Sequence, residues 1–307
     1  MYYLGLDVGG TTIKAGLVDE TNNVLEARKT PTVVDDLNGF ISKLTELIRH
    51  FQKSAAIDAV GIGVPGLRSS RTGVIQTSPH IPCLKNVNLD DAVSDEVHLK
   101  VISENDANAG AYAESICGAG KGLHHLAYLT LGTGLGSGLV LNGSLYMGAS
   151  GYGGEFGHTV IDPGGRLCAC GKRGCVETVA SATGIVTTAM EKLKAGGSSL
   201  LRELPPPLTS EEIYESAVSG DAIAREVFME TGRWLGIACA NLINLLNPEA
   251  IIIGGGVMAS GELLLGHAAD IARQYAFPPS FNDCRIVQSK LWPDAGMIGA
   301  ALLARDR

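Results

Sequence analysis

The chain has 307 residues, 45% of them hydrophobic, enough for two domains of roughly 150 residues each and a sizeable core. Its net charge is −8, and no cluster of Lys or Arg is longer than a pair, which excludes the basic footprint a nucleic-acid backbone requires. Glycine is the outlier, with 40 residues and only 12 prolines; about 13% glycine against a usual ~7%, with no G-X-Y period, rules out collagen and implies many tight turns.

In chain order, Tyr2 to Val8 reads as a strand, Gly9 to Thr12 as a turn and Ile13 to Val18 as a second strand, with a hairpin turn at Asp19 to Asn23. Leu37 to Phe51 carries apolar residues at helical spacing (Phe40, Ile41, Leu44, Leu47, Ile48, Phe51), and Ala59 to Val64 then reads as a buried strand. Val97 to Ser103 is another strand, followed by a helix from about Asp106 to Ile116 and a glycine-rich join at Gly118 to Gly122. Strands alternating with helices predict an α/β fold. The join divides the chain into an N-terminal α/β domain of residues 1–117 plus 291–307 and a larger domain of residues 118–290.

The second half starts like the first, with Leu126 to Leu131, a glycine turn at Gly132 to Gly138, and Leu139 to Asn142. A shift of 122 residues lays Gly10-Thr11 on Gly132-Thr133 and Gly16-Leu17-Val18 on Gly138-Leu139-Val140, which hints at an internal duplication. Beyond residue 180 the pattern is helical, with an exposed loop over 195–210, a long apolar helix from Ala222 to Asn247 and a strand from Ala250 to Ile253 running into Gly254-Gly255-Gly256. An alanine- and leucine-rich helix ends the chain, Asp294 to Arg305. The N-terminal residues lack a charged n-region, and no stretch of about 18 apolar residues occurs, so a cytoplasmic protein with no membrane partner is expected.

Three groups of residues carry chemistry. In Asp7-x-Gly9-Gly10-Thr11-Thr12-x-Lys14, glycines let backbone amides approach an anion, hydroxyls add donors, and the acid suits hydrated Mg²⁺. An ordinary hairpin turn is the alternative, but the second turn, with Gly132, Thr133 and Gly134, makes a pair of phosphate clamps the better account. His158, Cys168, Cys170 and Cys175 offer one imidazole and three thiolates, the closed tetrahedral set of structural Zn²⁺; a redox pair is the alternative, although C-x-C is too tight for easy disulfide geometry. Glu104-Asn105-Asp106 ends a strand and opens a helix, where an Asp is by default an N-cap, yet strand ends of open α/β sheets also bind ligands. Glu155 and Glu177 flank the cysteine loop and become candidate hydroxyl acceptors if metal pins it. Gly61-x-Gly63-x-x-Gly66 is not a dinucleotide fingerprint, since Pro65 and the residues after it do not open a helix.

Taken together, Asp7-Val-Gly-Gly-Thr-Thr-Ile-Lys14, Glu104-Asn-Asp-Ala-Asn108, Leu131-Gly-Thr-Gly-Leu-Gly136, Gly154-Glu-Phe-Gly-His158, Cys168-Ala-Cys-Gly-Lys-Arg-Gly-Cys-Val-Glu177 and Ile253-Gly-Gly-Gly256 resemble the ROK family of bacterial sugar kinases and sugar-responsive repressors, in family order and spacing along the chain. The resemblance implies a two-domain actin-like, ribonuclease H-like fold with ATP and a hexose in its cleft, and a homodimer or homotetramer. It implies Asp106 as catalytic base and Asn105, Asp106, Glu155, His158 and Glu177 as sugar ligands, with Gly66 and neighbouring residues lining the sugar pocket. Gly9 to Thr12 and Gly132 to Gly134 correspond to the phosphate loops, and Gly254, Gly255 and Gly256 to the turn beside adenosine. The family's repressors add an N-terminal helix-turn-helix; here the first phosphate loop begins at residue 7, so a kinase is expected, with glucose as its hexose. Kinases for N-acetylmannosamine, N-acetylglucosamine, fructose, mannose and allose share these motifs, and Thr12 departs from the lysine that many family glucokinases carry. On this reading, half of the glycines, 20 of 40, line one cleft from six stretches: 9–10, 61–66, 132–138, 151–157, 164–174 and 254–256.

Overall fold

Apolar runs in the sequence become the inner strands of two five-stranded sheets. The computed structural model describes residues 1–307, the side chains of residues 259 and 260 excepted. The first half contains β1 (Tyr2–Val8), β2 (Thr12–Asp19), β3 (Val24–Pro31), α1 (Leu37–Gln52), β4 (Ala59–Val64), β5 (Leu67–Arg68), β6 (Val74–Thr77), β7 (Val87–Asn88), α2 (Leu89–Val97), β8 (Lys100–Asn105) and α3 (Asp106–Cys117). There follow β9 (Leu126–Leu131), β10 (Leu135–Leu141), β11 (Ser144–Tyr146), α4 (Ala182–Ala195), α5 (Ser210–Val218), α6 (Ala222–Leu246), β12 (Ala250–Gly254), α7 (Glu262–Tyr275), α8 (Pro278–Asp283), β13 (Arg285–Gln288) and α9 (Ala295–Asp306).

The sheets run β3-β2-β1-β4-β8 and β11-β10-β9-β12-β13, one plan used twice. In each, an antiparallel hairpin pairing (β1 with β2, β10 with β11) is joined to parallel pairings (β1–β4–β8, β9–β12–β13). The repeated order supports the duplication that the glycine alignment hinted at. Packing divides the chain into two compact units, Met1–His124 with Gly138–Gly154 and Lys290–Arg307, and His125–Ser137 with Glu155–Ser289.

In the first unit β4 is buried at all six residues, as a central parallel strand covered on both faces must be. Asp36 caps α1 by accepting from the amides of Asn38 and Gly39, and the helix then buries Phe40, Leu44, Leu47, Ile48 and Phe51. Edge strand β3 is mostly exposed, and the small sheet β5-β6-β7 is built from strands of two to four residues; neither has an apolar run that would mark it in the sequence. In the second unit Asp221 caps α6, which buries Phe228, Leu235, Leu242 and Ile243 and ends at Asn247 in the left-handed region.

Helix α9 is buried almost all round, from Met297 to Ala304. Its contact with the sheet depends on absent side chains: a Cβ on Gly5 would strike the Met297 carbonyl, one on Gly61 the Ala300 carbonyl, and one on Gly299 the Ala109 carbonyl of α3. Gly61 therefore serves helix docking rather than a ligand. Gly61→Ala is expected to destabilise the protein by about 1–3 kcal/mol or more, because the obstacle is backbone that cannot turn aside; thermal unfolding checks this, and an unchanged melting temperature would show that α9 docks otherwise. Of the cysteines outside the 168–175 loop, Cys239 and Cys284 are buried and Cys83 and Cys117 partly so.

Candidate active site and metal-ligand cluster

The Gly9 to Thr12 turn joins β1 to β2. The Gly9 amide donates to the Thr12 carbonyl at 2.9 Å, while Gly10, Thr11 and Thr12 are exposed. A residue that the motif analysis missed holds the turn from outside: Thr32 donates its amide to Thr11 O at 2.9 Å and its hydroxyl to Gly9 O at 2.7 Å. Asp7 lies opposite Lys14 in the hairpin register, and Lys14 forms an ion pair with Asp294, beside the first turn of α9. A Cβ on Gly296 would come within 2.8 Å of the Asp7 carboxyl, so that carboxyl faces the helix N-terminus, where negative charge is favoured.

Burial, reinforced by the nearby Asp106 carboxyl and opposed by Lys14, still pushes the Asp7 pKa up to about 7. Because the folded value exceeds the ordinary aspartate value of 3.8, the folded state holds the proton more tightly. Stability from this group falls as pH rises between those values, and the penalty persists above them. Without added Mg²⁺, Asp7→Asn is expected to raise the melting temperature at pH 8 and to flatten the slope between about pH 4 and 7. A variant that melts no higher than wild type at pH 8 would contradict this.

Asn105, at the end of β8, is the cap of α3: its Oδ1 accepts from the amides of Ala107 and Asn108 at 3.0 and 3.1 Å, and its Nδ2 donates to Gly66 O at 3.4 Å. Asp106 is thereby freed from capping and occupies the first helical position, 3.5 Å from where a Cβ of Gly63 would lie. The protein packed around its carboxyl raises its pKa, against the Ala107 amide and His80, which lower it. His80 also rests on the Gly9 to Thr12 turn, its Cβ 3.2 Å from a Cβ built on Gly10. Beneath the pair, buried Glu104 accepts from Asn108 Nδ2 at 3.2 Å and from Arg307 at 2.9 Å. Gly66 has φ +134° and is closed in by Thr77 and Ser78.

In the second unit the donor atoms of His158, Cys168, Cys170 and Cys175 all lie within 4.8 Å of one another. Cys170 Sγ is 3.6 Å from Cys175 Sγ, and Cys168 Sγ is 3.6 Å from His158 Nδ1. A tetrahedron with metal–sulfur bonds of ~2.3 Å has edges of ~3.8 Å, so the four residues fit one ion. Burial pushes the Cys168 thiol up to about 12, which a divalent cation among the sulfurs would reverse. Gly171 and Gly174 turn the loop with positive φ, and a Cβ on Gly174 would strike the Asp162 carbonyl. Arg166 ties the loop to α4, donating to Thr178 O at 2.8 Å and Thr188 Oγ1 at 2.9 Å. Glu155 precedes the short turn bearing His158 and is exposed, and the Phe156 amide donates to Ser137 Oγ at 3.0 Å.

The model of the ROK family matches residues 3–307. The chain belongs to the ROK family. Among its relatives, the glucokinase of Thermotoga maritima is 38% identical over 99% of this chain and 97% of its own. The structure of a ROK family glucokinase from Streptomyces griseus in complex with glucose and AMPPNP superposes with a TM-score of 0.90, at 34% identity and covering 100% of both chains. The xylose repressor of Caldicellulosiruptor bescii is 32% identical over 96% of this chain and 76% of its own length. The mixed α/β, actin-like architecture with two units is the one this ROK kinase structure shares.

Within the ROK chain the motif residues fall into two sets. Asp7, the Gly9 to Thr12 turn, Lys14, Gly66, Asn105 and Asp106 belong to the first unit; Gly132 to Gly134, Glu155, His158, the three cysteines, Glu177 and Gly254 to Gly256 belong to the second. In the last of these, a Cβ on Gly254 would meet the Tyr128 hydroxyl at 2.7 Å, and one on Gly255, at φ +92°, would strike the Leu131 backbone. Gly254 and Gly255 thus fit against their own protein, and of the three only Gly256 has no neighbour within 4 Å of a built Cβ among the described residues.

Proposed function

We propose that this ROK chain is an ATP-dependent glucokinase that transfers the γ-phosphoryl group to the 6-hydroxyl of glucose. The observation that carries the reading is Asp106, set at the start of α3 with its capping duty taken by Asn105 and its carboxyl shifted toward a working base by the protein around it. The full-length likeness to two glucokinases supports the same conclusion.

Asp106 accepts the proton of the 6-hydroxyl as that oxygen attacks the γ-phosphorus, and ADP leaves with the bridging oxygen. Phosphoryl transfer needs mainly positioning and charge stabilisation, which fits the glycine turns better than a covalent mechanism. Gly10, Thr11 and Thr12 present exposed backbone and hydroxyls suited to phosphate; the Gly132 to Gly134 turn, exposed at Thr133, is likewise suited to phosphate, and Gly256 to adenosine. Mg²⁺, held through Asp7, would neutralise charge on the phosphates. Asn105, Glu155, His158 and Glu177 serve as sugar ligands with Gly66 beside them, and structural Zn²⁺ on His158, Cys168, Cys170 and Cys175 orders the loop that carries three of them. The reading places the enzyme in the cytoplasm as a homodimer or homotetramer feeding glycolysis, with no nucleic-acid or membrane partner; no helix among the described residues is long and apolar enough to cross a membrane.

ADP release with Mg-ATP, compared across glucose, mannose, fructose, allose, N-acetylglucosamine and N-acetylmannosamine, tests this. Turnover on glucose at the highest kcat/KM is expected. No turnover on any of the six would overturn the kinase, and preference for an N-acetyl sugar would overturn glucose alone.

A further inference from the structure

The glycine turn between β9 and β10 has all three of its carbonyls and its first amide committed to hydrogen bonds. Gly132 N–H donates to Gly134 O at 2.9 Å, closing the turn. Its other ties all come from one stretch that begins two residues after Cys175. Glu177 Oε2 accepts from the Leu135 amide at 3.0 Å. The Ala182 amide donates to Gly132 O at 2.8 Å, and the Thr183 hydroxyl donates to Thr133 O at 2.8 Å. A Cβ on Gly134 would land on the Glu177 carboxylate, so turn and carboxylate are in direct contact. The other carboxylate oxygen, Oε1, lies 3.6 Å from Cys168 Sγ, which sets the same side chain against the ligand cluster.

Two donors remain. Among the described residues no hydrogen bond is recorded from the amides of Thr133 and Gly134. A turn whose carbonyls and flanking amides are all held, with two successive amides left over, is an anion-binding nest whose aim is set from outside. We propose that the 177–183 segment is a clamp that aims the Thr133 and Gly134 amides at a nucleotide phosphate, and that Glu177 is a positioning residue for the nucleotide in addition to any contact with sugar. This rests on the kinase reading above. It differs from the role the family resemblance gives Glu177, because a residue serving only sugar would leave nucleotide binding unaltered in the absence of sugar.

The arrangement also explains the need for an acceptor at position 177. The Leu135 amide sits at the start of β10 beside the turn, and without a partner there the strand's first residue would be free to rotate and carry Gly134 with it. Thr183 acts independently from the first turn of α4, gripping the other side of the turn through its hydroxyl.

The experiment is equilibrium binding of Mg-AMPPNP without sugar to the zinc-loaded wild type and to Glu177→Ala, Glu177→Gln and Thr183→Val, with hydrogen exchange of the Leu135 amide measured in each. Loss of one charge-assisted hydrogen bond corresponds to about tenfold, so Glu177→Ala is expected to weaken AMPPNP binding about tenfold and to speed Leu135 exchange. Glu177→Gln keeps an acceptor and should bind within about threefold of wild type, while Thr183→Val should lose about threefold to fivefold. Thr183 is exposed, so its variant tests the clamp even if Glu177→Ala does not fold. AMPPNP affinity within twofold of wild type in both Glu177→Ala and Thr183→Val overturns the clamp and leaves the kinase standing. A wild-type chain that binds no AMPPNP overturns the kinase reading and the inference together.

Discussion

Asp106→Asn is expected to lower kcat by about 10²–10⁴-fold while leaving glucose affinity near wild type. Asparagine preserves size and the Oδ1 that accepts from the Ala107 amide at 2.9 Å, so α3 should start as before; what disappears is the proton acceptor. The pH profile gives a second check. Since the packed environment raises the Asp106 pKa, the acid limb of kcat/KM should lie above the ordinary carboxylate range, and activity should rise with pH through it as the base ionises. Asp7 is also raised above the ordinary carboxylate range, to about 7, so the limb is assigned by comparison: Asp106→Asn should lose it from the residual rate. Near-normal turnover by the variant would remove Asp106 from the role of base.

Local features of the site were legible in the sequence, and those with distant partners were not. The four metal-ligand candidates lie between positions 158 and 175, and the loop that joins them is short enough that residue types alone gather the donors. Both glycine turns were visible for the same reason, being single hairpin connections. The pairing of Lys14 with Asp294 and the hold of Thr32 on Gly9 and Thr11 depend on which elements lie side by side. The glycine map divides in the same way. Gly61 is glycine because α9, from the far end of the chain, presses its Ala300 carbonyl there, and Gly254 and Gly255 because Tyr128 and Leu131 lie against them. Crowding by ligand and crowding by protein select the same residue, and only the neighbours tell them apart. The cap at α3 shows a finer version: an Asp at a strand–helix junction reads as the cap, but Asn105, one residue earlier, does that work and leaves Asp106 available.

Removing the proposed zinc should have the largest structural effect, confined at first to one loop. Residues 159–175 have almost no core of their own: Val160 and Leu167 are 51% and 65% exposed, and the buried groups are Cys168, Gly174 and Cys175. Two isolated bridges, Val160 with Cys175 and Leu167 with Arg173, supply the only sheet-like pairing recorded for the loop. Such a segment cannot offset its ordering entropy by apolar burial, so metal binding there would be in large part folding free energy. The native protein is expected to hold about one zinc per chain, and Cys175→Ser, which replaces a fully buried ligand, to lose it. Trypsin should then cut after Arg166, Lys172 or Arg173 about tenfold faster or more, with zinc restoring resistance to stripped wild type but not to the variant. Glucose KM should rise in parallel, because Glu155, His158 and Glu177 are positioned by the same loop. Metal-free native protein with unchanged trypsin resistance would show that hydrogen bonds alone hold the loop, with Arg166 and its bonds to Thr178 and Thr188 as the anchor.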